Sequence, residues 1–262
     1  MVFCKEKRNF AASKRKALVM KAYQPYGITE KDYRQAQPLI DAAQAFAQTS
    51  YQTIYIIDYF SDRFLYVSDN PIFRCGRTIE EIMAEGYGFF VGNTTEEEAP
   101  LLAEIHEASL AALGEVAMEE KRRCLVSYDF HLVTDMRRLL VNHKLTPLAL
   151  DGSGKVWLAL CVASFSARRE MGHVQFYQLL TKKFSEYSIA EHRWVERKEM
   201  VMKPEEKEML VLSSRGYSVG EIAEIMHKSE DTVKLYRKQL FDKLDAGNIT
   251  EAMAYAVNYG LL

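Results

Sequence analysis

Apolar positions change their period several times along this chain, and each change marks an element. Thr29 followed by Asp32 has the spacing of a capping box, and Tyr33, Gln37, Ile40, Ala43 and Phe46 recur at helical intervals. A helix is therefore predicted ahead of the first strand. YQTIYIID and DRFLYVSD, starting at Tyr51 and Asp62, are rich in β-branched and aromatic residues and flank the polar turn Tyr59 to Asp62. They predict a strand pair. Alternation then stops: Thr78-Ile79-Glu80-Glu81 opens a short helical pattern, and Leu101, Leu102, Ile105, Ala108 and Ala112 line one face of a longer one. It resumes at Cys124, where Val126, Tyr128, Phe130 and Leu132 alternate with Leu125, Ser127, Asp129, His131 and Val133. Leu139 to Leu150 and Val156 to Phe165 read as two further strands around the turn Asp151-Gly152-Ser153-Gly154. Together these predict an antiparallel meander.

Residues 168 to 200 follow no single period. Val174, Tyr177, Thr181 and Phe184 fit a seven-residue helical seam, while Phe184 to Val195 also reads as short strands. This stretch is expected to be a linker.

From Met202 onward the pattern is helical and tightly punctuated. Pro204 suits a first helical turn, Met209, Leu210 and Leu212 form an apolar side, and Gly216 stands where a left-handed cap belongs. Ser218 with Glu221 caps a second helix, which carries Ile222, Ala223, Ile225 and Met226 inward. After His227 and Lys228, Ser229 caps a third helix with Val233, Leu240 and Leu244 inward and Lys234, Arg237, Lys238 and Lys243 on other faces. Asn248 with Glu251 opens a fourth, running through Ala252, Ala256 and Val257. A short helix, a tight turn and a longer helix bearing cations make a helix-turn-helix, whose second helix fits a major groove about 12 Å wide.

Charge refines this picture locally. The chain carries 34 Lys and Arg against 36 Asp and Glu. Residues 1 to 21 hold seven cations and one glutamate, a basic arm that suits a solvated terminus and can add non-specific affinity for nucleic acid. Residues 202 to 262 hold eight cations against ten carboxylates, so a DNA contact there depends on placement rather than on a general field. Cys4, Cys75, Cys124 and Cys161 share no metal-ligand or disulfide spacing and read as isolated thiols. Val156 to Phe165 is about half the ~20 apolar residues of a membrane span, and the terminal arm lacks a secretory apolar core, so a cytoplasmic protein is expected with no membrane partner.

Enzyme signatures are missing. There is no Gly-rich phosphate loop, no His-Glu-x-x-His and no Gly-x-Ser-x-Gly, and Gly152-Ser153-Gly154 lies in a hairpin turn. The three consecutive strands after residue 120 do not suit a phosphate-receiving α/β domain, and Trp157 and Trp194 alone do not make a Trp-rich autoinducer pocket. No cofactor is assigned. Cys75 lacks the neighbours of a flavin-thiol site, and His106 and His143 are single histidines rather than a haem signature.

Two families are similar to parts of the chain. Two strands, a helical interlude and three hairpin-linked strands, with FRCGRTIEEI at residues 73 to 82 after the second strand, resemble a PAS domain. That resemblance implies a five-stranded antiparallel sheet with flanking helices, enclosing a small-molecule pocket or serving as a dimerisation surface. KPEEKEMLVLSSRGYSVGEIAEIMHKSEDTVKLYRKQLFDKLDAGNITEAMAYAVNYGLL resembles a LuxR-type DNA-binding domain, through Glu208, Leu210, Gly216, Glu221-Ile222-Ala223, Ser229, Thr232-Val233-Lys234, Lys243-Leu244 and Thr250-Glu251-Ala252. Tyr236 stands where that family often has His. The resemblance implies that Lys234, Leu235 and Lys238 face the groove floor and that Thr232, Tyr236 and Arg237 approach phosphates.

The expected organisation is α+β: a basic arm and helical extension at 1 to 49, a PAS-like domain at 50 to 167, a linker at 168 to 200 and an all-α four-helix domain at 201 to 262. The expected function is a DNA-binding transcriptional regulator, a homodimer on double-stranded DNA that senses a small molecule or partner through the PAS-like domain. Two other readings stand beside it. One is a sensor whose helical C-terminus docks on a protein such as RNA polymerase, and the other is a ligand-processing enzyme.

Overall fold

Strand Cys124–Val133, the clearest alternation in the sequence, keeps its promise in three dimensions: Cys124, Val126, Tyr128, Phe130 and Leu132 are all buried on one face. It belongs to a computed structural model that describes residues 24–134, 137–181, 183–197, 201–258 and 260–262. The basic arm and Cys4 lie outside the described residues. The chain divides into two units, Met1–Ser166 with Glu170–Arg197, and Ala167–Arg169 with Lys198–Leu262.

In the first unit the described elements are α1 (Glu30–Ala47), β1 (Thr53–Asp58), β2 (Arg63–Val67), α2 (Ile79–Glu85), α3 (Gly88–Gly92), α4 (Glu98–Gly114), α5 (Met118–Lys121), β3 (Cys124–Val133), β4 (Arg138–Leu150), β5 (Val156–Phe165), β6 (Gly172–Gln178), β7 (Lys183–Ser188) and β8 (Arg193–Arg197). The strands form one antiparallel sheet in the order β2-β1-β5-β4-β3-β6-β7-β8. Its first five strands, with α2 to α5 between β2 and β3, have the PAS-like arrangement. Asp151 shapes the β4–β5 turn, its Oδ1 accepting from the N–H groups of Ser153 and Lys155, and Gly154 supplies φ +82.

Two expectations are corrected. The sheet has eight strands rather than five, and the segment read as a linker contributes the other three. Val174 and Phe176 alternate inward along β6, whereas Tyr177 and Thr181, which completed the supposed helical seam, lie at a strand end and in a turn. β7 and β8 reach back to α4: Tyr187 Oη donates to Glu104 at 2.8 Å and Trp194 Nε1 to the Ala108 carbonyl at 3.3 Å.

The sheet is covered on both faces. One face packs beneath α2, α3 and α4 around Tyr55, Phe64, Phe90, Leu102, Ile105, Tyr128 and Phe130. On the other, Ala36 and Ala43 let α1 sit close to Ile54, Ile56 and Trp157. This explains why every residue of β1 is buried. Phe46, assigned inward by spacing, is instead 58% exposed, because the inner stripe of α1 runs through Tyr33, Ala36, Ile40 and Ala43. Buried Asp58 latches α1 to the sheet, accepting from Tyr33 Oη at 2.7 Å and from Trp157 Nε1 at 3.1 Å.

The second unit comprises α6 (Pro204–Ser214), α7 (Val219–Ile225), α8 (Glu230–Leu244) and α9 (Ile249–Asn258). Met209, Leu210, Ile222, Ala223, Met226, Val233, Leu240, Leu244, Ala252 and Ala256 form its core. Ile225, read as inward, is 44% exposed because it falls to one side of the stripe Ile222, Ala223 and Met226, and Val257, one residue past buried Ala256, is 60% exposed.

Candidate nucleic-acid interface and sensory core

Local sequence sets the geometry of the second unit. Gly216 adopts φ +90 after α6, Ser218 and Glu221 close the capping box of α7, and His227 takes φ +53 in the turn before α8. Ser229 then caps α8, its Oγ accepting from the Thr232 N–H at 3.2 Å. Short α7, that turn and α8 make the helix-turn-helix expected from the pattern.

On α8 the buried residues Val233, Leu240 and Leu244 define the inner side. Lys234, Leu235 and Lys238 lie on the opposite side, about 100° per residue around the axis, and all three are exposed. Lys234 pairs with Glu230 at 3.3 Å and Asp231 at 3.6 Å, and its ammonium is held above the usual lysine range first by the Glu230 hydrogen bond. Lys238 has no ion-pair partner among the described residues. Leu235 is 50% exposed, a large apolar side chain in the middle of a charged stripe.

The remaining candidates flank this stripe. Thr232 shares a hydrogen bond with Ser229 Oγ at 2.9 Å, so its hydroxyl belongs partly to the cap. The Arg237 guanidinium lies over the Phe241 ring at 5.3 Å rather than pairing with a surface glutamate. Tyr236 is half-buried against the core. The fold itself consumes Lys243: its Nζ donates to Glu206 Oε1 at 2.8 Å and to the Val201 carbonyl at 3.2 Å. Burial would raise the Glu206 carboxyl, but Lys243 and the Lys203 N–H outweigh it and hold the group below the carboxylate range.

A second candidate site lies in the core of the first unit, where the sequence offered only single histidines. His143 on β4 sits among Tyr55, Phe90, Tyr128 and Phe130, with centroid distances of 5.6, 5.8, 4.7 and 6.4 Å. His106 on α4 stacks on Tyr87 at 4.1 Å. Burial pushes His106 down to about 4, and burial with the neighbouring His106 pushes His143 down to about 3, so both imidazoles are neutral. Neither His143 nitrogen has a hydrogen-bond partner among the described residues, nor does His106 Nε2 or Thr53 Oγ1. Such atoms are rare in folded interiors and call for a partner. A small cavity of about 10 Å³, room for about one water, is lined by Thr53, Tyr55, Phe64, Phe73, Phe89 and Phe90, among others, and by neither histidine. Period-two spacing does place His143 on the inner face, level with Val141 and Leu145, but spacing alone does not show an unsatisfied ring.

Among the described residues, no group of three or more His, Cys, Asp or Glu is arranged to hold a metal, and no helix is long and apolar enough to cross a membrane. Cys75, Cys124 and Cys161 are buried and form no disulfide among the described residues.

Residues 200–256 match the family described as bacterial regulatory proteins, luxR family. The HTH-type quorum-sensing regulator RhlR of Pseudomonas aeruginosa is 38% identical over 85 residues, which make up 32% of this chain and 34% of RhlR. The match thus spans about a third of that curated relative. Among solved structures, the Vibrio cholerae VqmA dimer without its target DNA is 18% identical, with 84% of this chain and 88% of that one covered and a TM-score of 0.33. The PAS domain of Bordetella pertussis BvgS is 16% identical, covering 50% and 89%, with a TM-score of 0.36.

Proposed function

Residues 200–256 being a LuxR-type domain, we propose that the chain is a transcriptional regulator in which the PAS-like unit controls DNA binding by α8. One observation carries the reading: Lys234, Leu235 and Lys238 form an exposed stripe opposite Val233, Leu240 and Leu244 on a helix capped by Ser229. A helix so placed can enter the major groove, with Lys234 and Lys238 donating to guanine O6 or N7 and Leu235 meeting a thymine methyl. Thr232, Tyr236 and Arg237 flank the stripe and fall to phosphate contacts. Phosphate contacts fix register, and base-edge contacts carry the sequence preference.

Control starts in the core around His143 and His106. A small molecule bound in this unit acts only as far as it binds one arrangement of the protein better than another. A homodimer would present two α8 helices to half-sites about one helical turn apart, so a change in subunit pairing becomes a change in DNA affinity. The protein works where the chromosome is, in the cytoplasm, and contact with RNA polymerase would turn binding into activation.

A mobility-shift assay against a pool of genomic fragments tests this reading, comparing the full chain with Lys234→Ala plus Lys238→Ala. Retardation by the parent and its loss in the double variant are expected. Equal retardation by both would mean that these lysines do not carry the DNA contact, and no retardation by either would favour a protein-docking module.

A further inference from the structure

Carboxylates are unusual company for lysines that must approach a polyanion, yet α8 places two beside Lys234. Glu230 and Asp231 lie 3.3 and 3.6 Å from its Nζ, and the Asp231 side chain is 94% exposed. Around the helix axis, Asp231 falls between Lys234 and Leu235, about 100° per residue, at the centre of the stripe opposite the buried face. Its position is that of a base reader. Near phosphates it would only repel.

Resting on the DNA-binding reading above, we infer that Asp231 is a specificity-determining residue that, with Lys234, selects a G·C base pair. The chemistry is one of matched spacing. Guanine O6 accepts and cytosine N4 donates at neighbouring positions in the major groove, and the two atoms are hydrogen-bonded to each other at about 3 Å. Lys234 Nζ and Asp231 Oδ1 form a donor and an acceptor 3.6 Å apart on one rigid helix. Lysine donates to guanine O6 and N7 while aspartate accepts from cytosine N4. An A·T pair offers acceptor N7 and donor N6 on the purine, so a lysine set on the purine meets only one acceptor. The aspartate also acts by exclusion. Set where cytosine N4 lies, its desolvated charge would face the acceptor O4 of thymine in an A·T pair, and this penalises the wrong site.

The experiment selects sites for the parent chain, Asp231→Ala and Asp242→Ala from randomised duplex DNA, then measures binding to the best site and to its single-base variants. Asp242 is an exposed carboxylate at the other end of α8, so its removal changes net charge equally. The parent should prefer one G·C pair per half-site. Asp231→Ala should lower the preference at that pair by about tenfold, within the range for a good base contact, while gaining affinity for non-cognate DNA. Asp242→Ala should keep the preference. Unchanged base preference in Asp231→Ala, with only a lower unfolding temperature, would overturn the inference and leave the acidic residues as stabilisers of the helix N-terminus. If the parent binds no duplex DNA, the reading beneath it fails as well.

Discussion

Burying the Glu206 carboxylate takes it out of water, and Lys243 offsets that cost with a charged hydrogen bond across the second unit. Removing the cation alone leaves the anion buried without its partner. Lys243→Met should therefore destabilise the unit by about 3 kcal/mol, read as a shift in the denaturant midpoint. Because the Glu206 pKa is lowered on folding, this stabilisation is present above the ordinary carboxylate range and is lost as pH falls through the folded value. The core histidines act in a higher window. Their folded values of about 4 and about 3 lie below the 6.5 of a free imidazole, so the unfolded chain binds more protons once pH drops below about 6.5. Each costs up to about 1.4 kcal/mol per pH unit across that window. Thermal unfolding between pH 7 and pH 4.5 should show stability falling with acid, and His143→Phe should reduce the slope. An unaltered slope would show that His143 does not titrate on unfolding. At this scale the sequence spoke unevenly. Val233, Leu240 and Leu244 were legible from spacing, but Lys243 looked like one more surface cation because its partner lies 37 positions away.

Helices and strands were legible where one period persisted and hidden where it was short. β3 alternates over ten residues and α8 repeats its apolar positions over fifteen. β7 and β8 have six and five residues of mixed polarity, and their apolar side chains meet α4, which lies far away in sequence. A local window holds no trace of that contact. Turns show the converse, since their chemistry is local. Gly86 ends α2 at φ +56, and a Cβ there would fall 2.5 Å from the Asp62 carbonyl oxygen. Backbone cannot move aside as a flexible side chain can. Gly86→Ala should cost at least about 2 kcal/mol, more than a surface substitution, and chemical denaturation of the full chain measures it.

At the scale of the whole molecule, the order of elements carried more than any single residue. Two strands, helices, then three hairpin-linked strands specified a PAS-like sheet, and four closely capped helices specified the second unit. Neither order revealed how far the sheet continues or which core atoms await a partner, because both depend on contacts between distant segments. α8 is the proposed DNA-binding helix, and charge neutralisation is the most direct handle on that contact. Binding of the full chain to its best genomic fragment should be measured over a salt series, alongside Arg237→Ala, which removes a proposed phosphate contact. Affinity should fall steeply as salt rises, and the variant should bind more weakly with its log-log slope reduced by about one. An affinity indifferent to salt, or a variant that keeps the parent's slope, would contradict the account.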